Sequence, residues 1–111
     1  MLIYKIFRTP EWEEMQEMGQ TLGAPIDITD GYVHFSTAQQ ARETAAKHFA
    51  GETGLFLIAA DTTKMPALKW EISRGGAEFP HLYAPFEMAQ VAWSEPLPLV
   101  DGVHQFPAAM T

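Results

Sequence analysis

The run Leu55-Phe56-Leu57-Ile58-Ala59-Ala60 is apolar at six consecutive positions, between Gly54 and Asp61. A run of strand length with no polar face is a strand covered on both sides. Whatever else the chain does, it must supply layers above and below this segment, which is read as the centre of a sheet.

The first partner for that strand is Leu2-Ile3-Tyr4-Lys5-Ile6-Phe7, rich in β-branched and aromatic residues, with Lys5 alone to mark a wet face. A helix start comes next at Thr9-Pro10-Glu11, where a hydroxyl cap, a proline at the first helical position and an acid in the first turn coincide. Trp12, Met15 and Met18 or Gly19 recur at helical spacing as a core stripe, and Gly19 to Gly23 ends the element. Ala24 to Gly31 reads as a loop whose final Asp30-Gly31 makes a tight turn. A second main helix begins at Thr37, which forms a capping box with Gln40, and offers Ala38, Ala41, Ala45 and Phe49 for close packing. His48 falls in its last turn, where the helix dipole favours partial positive charge, and reads as a solvent residue.

Past the central run, Asp61 to Pro66 is a turn. Leu68, Trp70 and Ile72 then alternate with Lys69, Glu71 and Ser73, the apolar set predicted inward and the polar set outward. Arg74-Gly75-Gly76 is a flexible connection suited to a hairpin or to close approach of a ligand. Phe79 to Pro85 is held extended by its prolines, and Val91 to Ser94 is a further strand. Pro96 and Pro98 demote the segment after Ser94 to an edge or loop, and Asp101-Gly102 is a hairpin turn. These elements predict an α+β fold in a single small domain over residues 1–111, with a bent mixed or antiparallel sheet and two main helices.

With 47% hydrophobic and 19% charged residues, the 111-residue chain is ordinary for a globular protein and has no apolar run of membrane-spanning length. The start, Met1-Leu2-Ile3-Tyr4-Lys5, has no secretory pattern, so a cytoplasmic, soluble protein is expected. Fourteen acidic against seven basic residues give a net charge of −7, which disfavours nucleic acid as a partner. The absence of cysteine excludes disulfides, thiol nucleophiles and Cys-based zinc sites. Four histidines occur without an H-x-x-x-H spacing, so no metal site is predicted. Glycine-rich nucleotide loops and the G-x-S-x-G elbow are likewise missing.

The chemistry concentrates in Asp30-Gly31-Tyr32-Val33-His34-Phe35-Ser36-Thr37. If residues 32–36 are extended, Tyr32, His34 and Ser36 share one face while Val33 and Phe35 turn to the core. His81 and Tyr83 repeat that pairing, and Glu71 is placed to orient an imidazole or to meet a sugar hydroxyl. His34, Glu71 and His81 are therefore the candidate catalytic groups. Tyr32, Ser36, Thr37, Arg74 and Tyr83 are the candidate ligand contacts, with Arg74 beside its glycines as the anion contact and Tyr83 as a stacking face. An alternative role for the same residues is a polar network closing the sheet in a non-catalytic binding or interaction module.

The ordered set Asp30 to Thr37, Lys69-Trp70-Glu71 and Phe79-Pro80-His81-Leu82-Tyr83 resembles domain-of-unknown-function family 952, small bacterial and plant proteins, over nearly the whole chain. The resemblance implies an ADP-ribosyltransferase-like α+β fold, with a split, bent sheet forming a cleft for NAD-type ligands. On that basis NAD or an ADP-ribose-like molecule is the expected small-molecule ligand, and ADP-ribosyl transfer the expected reaction class. Tyr32-Val33-His34-Phe35-Ser36 also resembles the His-x-His-Leu-Ser strand of RNA 2′-phosphotransferases at His34 and Ser36, with Tyr32 in place of a histidine. The chain order His34, Glu71, His81, Tyr83 differs from the His, Tyr, Glu order of ADP-ribosyltransferases.

Overall fold

Strand β1 (Leu2–Arg8) and strand β4 (Leu55–Asp61) pair antiparallel along their whole length, and β8 (Val91–Leu97) takes the far side of β4. The computed structural model describes residues 1–110, with Arg74 described by its backbone alone. β4 is the middle strand, as its apolar run requires, and Leu57, Ile58, Ala59 and Ala60 are fully buried. Pro96 sits within β8 without cost to the ladder, because β8 is an edge strand and one side of it needs no donor.

Each face of this sheet has its own core. On one side Ile3, Phe7, Ile58 and Ala60 meet Trp12 and Met15 of α1 (Thr9–Met18), together with Val33, Phe35 and Phe86. On the other, Tyr4, Ile6, Leu57 and Ala59 meet Ala41 and Ala45 of α3 (Ala38–His48). The alanines allow α3 to lie close to the strands, and Thr37 and Gln40 form the expected capping box at its start. Met18, predicted in the stripe of α1, is instead exposed, since the helix ends there at Gly19.

A second sheet is built from β3 (Val33–His34), β6 (Glu78–Leu82) and β5 (Leu68–Ile72), with β6 in the middle. β5 and β6 form a hairpin around a 3-10 turn at Arg74–Gly76. Two minor pairs complete the fold: β2 (Gln20–Thr21) with β7 (Phe86–Glu87), and β9 (Leu99–Val100) with β10 (Val103–His104) across the Asp101-Gly102 turn. All strand pairings among the described residues are antiparallel, so the fold is α+β. Among those residues no helix is long and apolar enough to cross a membrane.

One backbone bridge joins the two main sheets beyond the core they share. Tyr4 and Ser36 exchange both backbone hydrogen bonds, at 2.8 and 2.9 Å, which joins the outer edge of β1 to the segment leaving β3. Away from that bridge the sheets diverge, and the gap between them is floored by β1 and flanked by α3 and the β5–β6 hairpin.

Three expectations are corrected. Residues 24–31 are not a loop: Pro25–Asp30 is a short helix, α2, with Pro25 at its first position and Gly31 as a left-handed cap at φ 86°. Only Asp27 of this helix is buried, and Ile26 and Ile28 face outward, so no apolar periodicity announced it. Lys5 does not mark a wet face, because it is 8% exposed and its ammonium meets a carboxylate inside the protein. In β5 the alternation is in the predicted phase, but Trp70 and Ile72 are exposed. β5 is the outer strand, and only its Leu68 end reaches the core.

Candidate functional site

The register of β3 on β6 sets His34 directly opposite His81, which brings two imidazoles together from positions 47 residues apart in sequence. Their ring centroids are 5.4 Å apart in an edge-on arrangement. Tyr32, one pleat before His34, lies almost parallel to His81 at 4.2 Å and tilts against His34 at 4.6 Å. The predicted face is therefore real: Tyr32 and His34 point one way while Val33 and Phe35 enter the core.

Each histidine rests on a carboxylate. His34 Nδ1 is 2.5 Å from Asp27 Oδ1, and His81 Nδ1 is 2.8 Å from Glu71 Oε1. Glu71 Oε1 also accepts a 2.6 Å hydrogen bond from the Tyr83 hydroxyl, while Lys69 lies over the Tyr83 ring. Tyr83 donates to Glu71 and packs on Tyr32, so its ring is part of the wall behind His81. The Tyr83 and His81 bonds hold the Glu71 carboxyl below its usual range, and the same Glu71 bond, with burial and the carboxylate charge, pushes the Tyr83 phenol up to about 12.

Asp27 is the residue that sequence reading missed. Its carboxylate is fully buried and accepts from Lys5 Nζ at 2.8 and 3.0 Å, from the Ala24 amide at 2.7 Å and from the His34 amide at 2.9 Å, besides the His34 ring. Burial pushes the Asp27 carboxyl up, but the His34 hydrogen bond and the Lys5 charge and hydrogen bond outweigh it, holding it at about 2. Lys5 bears the opposite strain, since desolvation lowers its pKa and Asp27 is what keeps the ammonium in place. The signal available in the sequence was an acid at the third position after a proline-initiated turn, which here reaches back to the helix start. Gly23 makes room for it: at φ 99°, a Cβ there would fall within 2.3 Å of Asp27 Oδ2.

His34 and His81 both line the gap between the sheets, a cleft of about 680 Å³ that also takes in Ser36, Phe79, Gln40 and Lys47. His34 Nε2 is 3.0 Å from Asp30 Oδ2, on the rim. The His34 ring thus has a carboxylate at each nitrogen, Asp27 at Nδ1 and Asp30 at Nε2. Among the described residues His81 Nε2 has no protein hydrogen-bond partner, and no buried side-chain nitrogen or oxygen is left unsatisfied. That nitrogen is open to the cleft.

Of the predicted contacts, Ser36 lies on the cleft wall, and its backbone forms the bridge to Tyr4. Thr37 is spent as the cap of α3 and faces a separate hollow beside Met1 and Leu2. Glu71 and Tyr83 stand behind His81 and do not line the cleft. The side chain of Arg74 lies outside the described residues, although Gly75 next to it borders the cleft.

These features define an α+β protein with a paired histidine–carboxylate site between two antiparallel sheets. The chain belongs to the family described as protein of unknown function DUF952, which it matches over residues 6–94. It is 45% identical to CC0527 from Caulobacter crescentus, whose crystal structure superposes with a TM-score of 0.89 over 95% of this chain and 94% of that one. The solution NMR structure of CC0527 gives a TM-score of 0.84, with 94% and 91% of the two chains covered. Among curated proteins there is no match.

Proposed function

We propose that the cleft binds a nucleotide-like or ribosyl ligand, and that His34 and His81 exchange protons with it. The observation that carries this reading is the pairing itself: two imidazoles on one cleft wall, each with Nδ1 on a carboxylate, one of them with its Nε2 open. A carboxylate on Nδ1 fixes the tautomer, directs Nε2 at the ligand and stabilises the ring when it is protonated, which is what general acid–base work requires. Phe79 on the same wall offers an apolar surface to a base or sugar. ADP-ribosyl transfer is the transferase form of this reading. In it Glu71 acts by orienting His81, because its Oε1 already holds two donors.

A panel of NAD, ADP-ribose, nicotinamide and nucleoside phosphates, scored by thermal shift, tests the proposal. At a hundredfold excess over Kd a bound ligand adds about 2.7 kcal/mol, which raises the midpoint by roughly ten degrees in a domain of this size. The rise should vanish in His34→Ala and His81→Ala. A panel without any shift would sink the reading.

The internal saturation of Asp27 supports a second reading, a non-catalytic module in which the same residues are a structural polar network. It requires His34→Ala to lose stability and keep ligand affinity. A His34→Ala protein that is equally stable and no longer binds ligand contradicts it.

A further inference from the structure

The rim carboxylate on His34 says what kind of group the cleft accepts. Asp30 is the last residue of α2, its side chain is 36% exposed, and its Oδ2 sits 3.0 Å from the nitrogen of His34 that faces the cleft. Asp27 holds His34 from inside the protein, where it is fully buried and tied by four donors. Asp30 holds it from the solvent side. A carboxylate oxygen thus already lies 3.0 Å from His34 Nε2, while the matching nitrogen of His81 has no protein hydrogen-bond partner among the described residues.

Of the cations lining the cleft, Lys5 is bound to Asp27 and Arg8 to Glu52, and Lys47 lies on the same wall as Glu11, Asp30 and Glu43. The two ring centroids are 5.4 Å apart, close enough for one group with several acceptor oxygens to meet both rings. The hydroxyl of Ser36, on the same wall, supplies a further donor. A sugar hydroxyl offers a single oxygen and no charge, and gains nothing from displacing a carboxylate.

Resting on the nucleotide-like reading above, we infer that the ligand presents a phosphoryl group to this end of the cleft. The group seats between His34 and His81, and one of its oxygens replaces Asp30 on His34 Nε2. Asp30 is then a competitor for the seat, and the sign of its effect on binding is opposite to that of a ligand contact.

The test is a titration of the protein with inorganic phosphate and with adenosine 3′-monophosphate, followed by NMR through the Cε1 protons of the four histidines. Both ligands should shift His34 and His81 together and saturably, with His104, which lies outside the cleft lining, little moved. Asp30→Asn, at an exposed position where folding is not at stake, should bind both ligands about tenfold more tightly, since a like charge at hydrogen-bond distance has gone. Equal or weaker binding by Asp30→Asn overturns the inference, as does a shift of His104 as large as those of His34 and His81. ADP-ribose binding that is lost in His34→Ala, with no phosphate binding, overturns the phosphoryl seat and leaves the nucleotide-like reading standing. If neither ADP-ribose nor phosphate binds, both fall.

Discussion

The two histidine–carboxylate pairs are built inside out with respect to one another. At His34 the carboxylate is the buried partner, Asp27 being 0% exposed and the imidazole 31%, whereas at His81 the imidazole is 4% exposed and Glu71 39%. The same hydrogen bond therefore does different work. Asp27 ties β1, α2 and β3 together, because its donors come from Lys5, Ala24 and His34, and it is part of the fold. Glu71 is held by a ring and a phenol on its own sheet, and it directs His81 without joining distant elements.

The largest effect should come from breaking the buried pair. Asp27→Asn keeps the shape but leaves the Lys5 ammonium in the interior without a counter-charge, a change that costs about 3–5 kcal/mol. Urea unfolding measures it, and a loss below about 1 kcal/mol would mean that Lys5 finds water. A smaller effect should appear on acidification. The Asp27 carboxyl falls from 3.8 to about 2 on folding, so its contribution is complete above pH 4 and disappears as the pH drops through about 2. Nearly two pKa units correspond to about 2 kcal/mol. Stability measured across that interval should decline less steeply in Asp27→Asn than in the parent.

The smallest effect belongs to the exposed pair. Glu71→Gln should barely move the urea midpoint, because ion pairs open to solvent are screened and contribute little. Its signature is spectroscopic: the Tyr83 phenol, raised to about 12 by Glu71, should titrate nearer its ordinary value in the variant, as read from tyrosinate absorbance. The sign runs opposite to that of Asp27. A phenol raised on folding contributes stability below its unfolded pKa and loses it as the pH climbs toward 12. If Glu71→Gln proved as destabilising as Asp27→Asn, the contrast between the two pairs would collapse.

Much of this was legible in the sequence where period and length carry the information. Leu55 to Ala60 lies at the sheet centre, Thr37 and Gln40 cap their helix, and the alternation of residues 32–36 sends His34 away from Phe35. In β5, period two grouped Lys69 with Glu71 correctly, but its expectation that Trp70 and Ile72 turn inward failed. An outer strand leaves Trp70 and Ile72 in solvent while Glu71 turns to His81. Asp27 was illegible for another reason. Its worth comes from Lys5, 22 residues earlier, and from His34, 7 residues later, and the local cap signal after Pro25 says nothing of either partner.

Gly23 touches no ligand and carries no side chain, yet the buried carboxylate depends on it. Any other residue there must adopt φ 99° and place its first carbon on Asp27. In a library covering all the natural amino acids at each position, position 23 should therefore tolerate as little as position 34, with every failure traced to protein that never accumulates. The narrowest tolerance in the molecule would then lie at a residue whose contribution is an empty volume.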